Sequence, residues 1–326
     1  MNTKVVYVLC SDNTDYYLQQ TYVSILSLKK HSPKSLVTLV VDSATKEAMT
    51  GNRSKILKYV DDLIMVPSTY ATKALNSRNI KTQLRRIING DFLFIDSDTV
   101  ICDDLSEVDN WEQDIYAVLD RHLHLSEHTV RKDILKWSAK AGWSIGDNED
   151  YFNSGIFYVK DNERTHKFYE LWHIFWKESK ERGIFYDQPA LGRANQKCDN
   201  IITELDGIWN CQIMENGLQY LANSKIIHFY ASNRMKYKRD AVYLLSNKAI
   251  YNTILTGHSI ELTKMLDNPR SAFSRFNSLQ TIPDTAILSS LNYRLLRIIY
   301  EKFHFLYNCN ETILEYLVRT ADKIRK

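Results

Sequence analysis

The amino-acid sequence predicts an α/β fold: a mixed, mainly parallel sheet flanked by helices, with a helical C-terminal extension. Three observations carry this. Short β-branched runs alternate with longer amphipathic stretches over roughly the first hundred residues. Hydrophobic residues make up 44% of the 326, enough for a substantial core. Strand-like runs then cease after about Lys238.

The elements follow in order. Val5 to Leu9 reads as a buried strand, Tyr17 to Lys30 as a helix, Leu36 to Val41 as a strand and Ala44 to Tyr59 as a helix. Leu63 to Val66 is a further strand, Ile80 to Ile88 a helix and Phe92 to Ile95 a strand, a repeating βα order that makes a mainly parallel sheet. Short strands near Tyr116 to Leu119, Ile156 to Val159 and Lys225 to Phe229 come later, around a long aromatic helix from Glu163 to Glu181. In that helix Phe168, Tyr169, Leu171, Trp172, Phe175 and Trp176 have the spacing of a core face. The chain is therefore divided into an α/β domain over 1–238 and a helical region over 239–326, the latter broken at Pro269 and Pro283. Its C-terminal part mixes Leu291, Leu295, Leu296, Ile298, Ile299 and Phe303 with Arg294, Arg297 and Lys302, a basic amphipathic pattern that suits a membrane interface, packing on the first domain or a homodimer contact.

Composition removes several function classes. A formal charge of +3 is too faint for a nucleic-acid surface. Cys10, Cys102, Cys198, Cys211 and Cys309 are odd in number and contain no C-x-x-C pair, which argues against a disulfide framework and a zinc site. The stretch Met1 to Cys10 lacks a signal-peptide cleavage pattern, and no run reaches the ~18 apolar residues of a spanning helix. The expected location is cytoplasmic, with peripheral contact at the inner face of the membrane if the basic tail binds lipid. No P-loop or G-x-G-x-x-G occurs, and none of the ten glycines are spaced i, i+2.

Ligands of open α/β sheets bind beyond the carboxyl ends of the strands, so polar residues directly after apolar runs carry the chemistry. Three places qualify: Ser11, Asp12 and Asn13; Asp42; and Asp96, Ser97 and Asp98. The last is the strongest signal. If the strand continues, Asp96 and Asp98 share a face and reach one hard cation such as magnesium or manganese. A surface turn and the aspartate nucleophile of haloacid-dehalogenase-like phosphatases are the alternatives, the second disfavoured because a whole α/β half precedes the motif. His122, His124 and His128 lie close together, but without a metal-site context they read as a loop.

The ordered set of Ser11-Asp12-Asn13, Thr82 to Arg85, Asp96-Ser97-Asp98, Phe152-Asn153-Ser154-Gly155, Asp187-Gln188 and His228 resembles family 8 glycosyltransferases of the GT-A fold, over roughly the first 235 residues. The resemblance implies that Asp96, Asp98 and His228 bind Mn2+ (or Mg2+), which holds the diphosphate of a nucleotide-diphosphate sugar, a UDP-sugar. It implies that Ser11, Asp12 and Asn13 lie against the nucleoside, that Arg85 and Ser97 meet the donor, and that Asn153, Asp187 and Gln188 stand beside the reacting sugar. Asp187 ahead of Gln-Pro also reads as a helix cap. After His228 the family usually continues with a glycine and then Lys-Pro-Trp. Here the chain runs Phe229 to Lys236 without them, so Arg234 or Lys236 becomes the phosphate-binding cation. The implied activity is retaining transfer of a hexose-type sugar to a saccharide or lipid-linked acceptor in cell-surface polysaccharide synthesis. A sugar-binding protein without turnover is the non-enzymatic alternative.

Overall fold

The computed structural model describes residues 1–146, 150–213, 215–229, 253–257, 260–271, 286–287, 289–311 and 313–314. Two compact units divide the chain, Met1–Arg275 and Phe276–Lys326. In the first, the strands β1 (Lys4–Leu9), β2 (Val37–Asp42), β3 (Asp62–Val66), β4 (Phe92–Ile95), β6 (Ile115–Leu119), β7 (Phe152–Val159) and β8 (Ile202–Glu204) form a sheet ordered β3-β2-β1-β4-β7-β6-β8. Only β7 runs against the rest. The carboxyl ends of β1, β2, β4 and β6 therefore meet the start of β7 along one edge. A smaller sheet, β5-β10-β9, is built from Thr99–Ile101, Ile226–His228 and Cys211–Gln212.

Both faces of the large sheet are covered, which is why β1 is apolar at nearly every position rather than alternating. Val5, Tyr7 and Leu9 join one core cluster with Leu18 and Val23 of α1 (Tyr17–His31). Val6, Val8 and Cys10 join another with Phe168 and Trp172 of α6 (Glu163–Glu181). The helix α6 starts where the sequence predicts, because Asn162 accepts from Thr165 N at 3.0 Å while Thr165 Oγ1 accepts from Asn162 N. Its Phe168, Tyr169, Trp172 and Trp176 are buried, so the aromatic stripe is core.

Two predicted helices are redrawn. The stretch expected to run from Ala44 to Tyr59 is α2 (Ser43–Ala48), a break at Met49 and Thr50, and a 3-10 turn over Gly51–Tyr59. Gly51, Asn52 and Ser54 are poor helix formers, and Asp42 starts α2 by accepting from Thr45 N at 3.0 Å. The helix expected over Ile80 to Ile88 is instead α3 (Lys73–Lys81), capped by Thr72, followed by the single turn α4 (Leu84–Ile87). The Thr82 hydroxyl and Gln83 amide take the Arg78 and Asn79 carbonyls and end α3 there.

The domain boundary expected at 238/239 lies outside the described residues. The helix Ile260–Asp267 belongs to the first unit, where Asp267 pairs with Lys30 and the Leu266 carbonyl meets His31 Nε2 at 2.8 Å. In the second unit Ser290 caps the helix Leu291–Lys302, and Leu291, Leu295, Leu296 and Ile298 on it are exposed. No described helix is long and apolar enough to cross a membrane.

Candidate active site

At the carboxyl edge of the large sheet the chain leaves β4, bends through Asp96, Ser97 and Asp98, and enters β5 of the small sheet. The two aspartates therefore do not alternate along a continuing strand. They flank a bend held by main-chain hydrogen bonds: Asp96 N donates to the Gly155 carbonyl and Phe229 N to the Asp98 carbonyl, each at 2.8 Å. His228 ends β10, opposite Thr99 of β5, and this antiparallel pairing brings the imidazole to the carboxylates. One ligand atom from each of Asp96, Asp98 and His228 lies within 4.8 Å of the others, the only such acidic or histidine cluster among the described residues.

A hydrogen-bond chain fixes the state of His228. Gly155 N donates to Asn153 Oδ1 at 2.9 Å, which identifies the oxygen of that amide. Asn153 Nδ2 then donates to Asp120 Oδ1 at 2.8 Å, and Asn210 Nδ2 donates to Asn153 Oδ1 at 3.0 Å. Asn210 must therefore turn its oxygen to His228 Nδ1, 2.9 Å away, and Nδ1 carries a proton. His228 Nε2 is then the ring nitrogen that faces Asp98 Oδ1, at 3.2 Å, able to donate to the carboxylate or to offer its lone pair to a metal ion. Two carboxylates and an imidazole of this tautomer fit a divalent ion such as manganese. Gly155 leaves the room, since a Cβ there would stand 2.3 Å from His228 Cε1.

The far end of the chain is closed in the same way. Val130 N donates to His128 Nδ1 at 3.3 Å, so Nε2 donates to Asp120 Oδ2 at 3.0 Å. Burial raises the Asp120 pKa, but hydrogen bonds from His128 and Asn153 outweigh it and keep the carboxyl below its ordinary range. His124 instead pairs with Asp150, and Gln212 N donates to His122 Nε2, so the three histidines form no joint site.

Beside the cluster stands Lys81, the last residue of α3, which the sequence reading missed. Its buried ammonium lies 3.1 Å from Ser154 Oγ, 3.4 Å from Asp96 Oδ2 and 3.5 Å from Asp187 Oδ2. Arg78, one turn earlier, has Nε 3.7 Å from Asp187 Oδ1. Recognising Thr72 as a cap would have put Arg78 and Lys81, spaced i, i+3, on one face of α3. Burial, followed by the Asp98 charge, pushes Asp96 up to about 6 against the pull of Lys81. For Asp98 burial also raises the pKa, yet His228 wins and holds it low; Lys81 and Arg78 do the same for Asp187. Three carboxylates thus face two cations, a balance that invites another positive charge.

Asp187 occupies the cap position of α7 (Gln188–Lys197), but its side chain makes no cap bond and points to Arg78 and Lys81 instead. Gln188 Nε2 donates to the Phe152 carbonyl at 3.4 Å. Ser97 accepts from Thr21 Oγ1 at 2.8 Å. Ser11 is buried, bonded to Asp15 and Arg53; Asp12 pairs with Lys73 at 2.7 Å and Asn13 is exposed. Asp42 is a structural cap that also accepts from Asn76 and Ser68.

Arg85 is not part of this group. Its buried guanidinium sits at the other end of β4, with Nη2 donating to the Ile88 and Gly90 carbonyls, 3.2 Å from Asp161 and 5.0 Å from the Phe92 ring centre. The short α4 turns it away from the carboxyl edge, so the expected donor contact is replaced by a clamp on the β4 entry. Arg234 and Lys236 lie outside the described residues.

Solved structures are similar to this chain in fold. Galactosyltransferase LgtC, in complex with donor and acceptor sugar analogs, shares 14% identity over 78% of this chain and 95% of its own, with a TM-score of 0.52. An active-site mutant of LgtC, with Gln changed to Glu, gives 13% identity over the same shares and 0.54. Apo mouse xyloside xylosyltransferase 1 gives 13% over 70% of this chain and 98% of its own, at 0.47. No curated protein matches significantly. The family model described as Glycosyl transferase family 8 matches residues 8–237, from near the end of β1 to beyond His228. That span covers well over half of the sequence and the whole of the carboxyl-edge cluster, and the chain belongs to glycosyl transferase family 8.

Proposed function

We propose that this glycosyltransferase moves a hexose-type sugar from a nucleotide-diphosphate sugar, a UDP-sugar, to a saccharide or lipid-linked acceptor in cell-surface polysaccharide assembly, with retention at the anomeric carbon. One observation carries the reading: Asp96, Asp98 and His228 converge with the imidazole tautomer already set for a divalent ion. Mn2+ (or Mg2+) held there would bind the donor diphosphate and offset charge on the departing group. Asp96, Asp98 and His228 hold the ion in this proposal, and Ser97 lies against the donor. Lys81 adds fixed positive charge beside Asp96. Asp187, steadied by Arg78 and Lys81, accepts from donor hydroxyls, while Gln188 stabilises the sugar as positive charge develops on it. Asn153 acts through Asn210, orienting His228. Ser11, Asp12 and Asn13 at the end of β1 receive the nucleoside.

The chemistry is placed in the cytoplasm, in keeping with five unpaired cysteines. The exposed apolar residues of the helix Leu291–Lys302 suit peripheral attachment to anionic lipid at the inner membrane face. Sedimentation with anionic vesicles tests that attachment: the full chain binds and a chain ending before Asp284 does not, whereas a dimer in place of binding would move this helix to self-association.

The main test is thermal stabilisation across a panel of nucleotide sugars with manganese, followed by product analysis with saccharide acceptors. A metal-dependent shift with one donor and transfer of its sugar supports the proposal. No shift with any donor would overturn it, and donor binding without hydrolysis or transfer would make the protein a silent sugar binder.

A further inference from the structure

Next to the carboxyl edge, α3, α5 (Arg131–Lys140) and the loop 183–186 enclose a cleft of about 740 Å³. Its wall is aromatic: Trp137 and Tyr186 pack with ring centres 4.9 Å apart, and Phe185 beside them is half exposed. Its charge is of one sign. Arg78 lies over Tyr186 at 5.8 Å, Lys136 and Lys140 project from one face of α5, and no acidic residue lines the cleft. Neither lysine has an ion-pair partner among the described residues. Gly183, at φ +75°, lies close to the Lys140 ammonium.

The cleft adjoins the carboxylate cluster through Arg78. Arg78 lines it and also faces Asp187, Tyr186 directly precedes Asp187, and Asp187 shares Lys81 with Asp96. A ligand on the Trp137–Tyr186 wall would thus lie beside the residues proposed to hold the donor sugar. Aromatic faces take up the apolar C–H face of a pyranose, while paired ammonium groups without counter-ions attract an anion.

We infer that this cleft is the acceptor subsite and that it selects a saccharide carrying an anionic group, a carboxylate or a phosphate, held by Lys136 and Lys140. The inference rests on the glycosyl-transfer reading, because it is the proposed donor site next door that makes the cleft an acceptor site. It names an acceptor class where that reading leaves the acceptor open.

The test compares methyl glucuronide, methyl glucoside 6-phosphate and neutral methyl glucoside as probes, with binding read by ligand-observed NMR and tryptophan fluorescence. At least one charged probe should bind about tenfold or more tightly than the neutral one, with the gap narrowing as salt rises. Which one does so separates carboxylate from phosphate. The doubly substituted Lys136→Ala, Lys140→Ala protein should lose that preference, whereas removing two remote lysines, Lys46→Ala and Lys167→Ala, should retain it and so control for net charge. Equal binding of charged and neutral probes overturns the inference, as does a preference that survives in the Lys136, Lys140 variant. Donor stabilisation with manganese is recorded separately, so a failed donor site and a failed cleft appear in different measurements.

Discussion

Lys81 and Arg85 stand one helical turn apart in sequence and finish at opposite ends of β4. Both are buried cations that touch an aromatic ring, Phe94 and Phe92 respectively. Their partners differ in kind. Arg85 gives Nη2 to two main-chain carbonyls and pairs with a single carboxylate, so it fastens the chain where it enters the strand. Lys81 faces two carboxylates and a serine hydroxyl, with Asp98 and Arg78 close by, where the strand ends in an open edge. A cation held by main-chain carbonyls marks a place where the fold is locked. One outnumbered by carboxylates marks a place where further charge is meant to arrive.

The sharpest way to break this contrast is to remove the acids on which it rests. Asp98→Ala or Asp96→Ala should cut metal-dependent donor turnover by roughly a thousandfold or more while the circular dichroism spectrum stays native. Near-normal turnover in both would end the ligand assignment. Next, Lys81→Met should lower kcat/KM for donor about a hundredfold with little change in melting temperature. Arg85→Met should do the reverse, costing about 2 kcal/mol of stability and leaving kinetic constants nearly intact. If the two variants lose the same property, the comparison fails.

Asn210→Leu probes the set tautomer. It should weaken manganese affinity by about 10- to 100-fold in an electron paramagnetic resonance titration, because Nδ1 loses the acceptor that directs the Nε2 lone pair outward. An unchanged titration would mean that Asn210 only fills space.

The smallest effect lies between the two cations, where Thr82 shares a hydrogen bond with His173 Nδ1 at 2.9 Å. Burial, with help from the Lys177 and Arg86 charges, lowers the His173 pKa to about 4. The unfolded chain therefore takes up this proton first as the pH falls below its ordinary ~6.5, and stability is lost between there and about 4. Melting curves from pH 7 to 4.5 should flatten slightly in His173→Gln, and a slope identical to wild type would remove His173 from the account.

Much of this was legible beforehand, for physical reasons. Strands buried on both faces announce themselves as apolar runs, so Val5 to Leu9 and Phe92 to Ile95 were readable, as was the edge where Asp96 and Asp98 emerge. The bend between them was not, because a strand that changes sheets looks the same in sequence as one that continues. Arg85 was misplaced for a related reason: the apolar period over Ile80 to Ile88 hides the Thr82 and Gln83 side chains that break the helix. Asn210 and Lys81 matter through partners about 15 or more residues away, contacts that no local pattern records.

The passage of the chain through Asp96, Ser97 and Asp98 has a mechanical consequence. Asp96 directly follows a strand of the large sheet, whereas His228 ends a strand of the small one, which has ladders only two or three residues long. In the proposed ligand set one ion would act as a further rivet between two sheets joined here by the chain crossing and by the Asn153–Asn210–His228 hydrogen bonds. Loading the ion would then slow amide exchange at Ile226–His228 far more than in the seven-stranded sheet, so the enzyme's readiness for its donor would be written in the stiffness of its shortest strands.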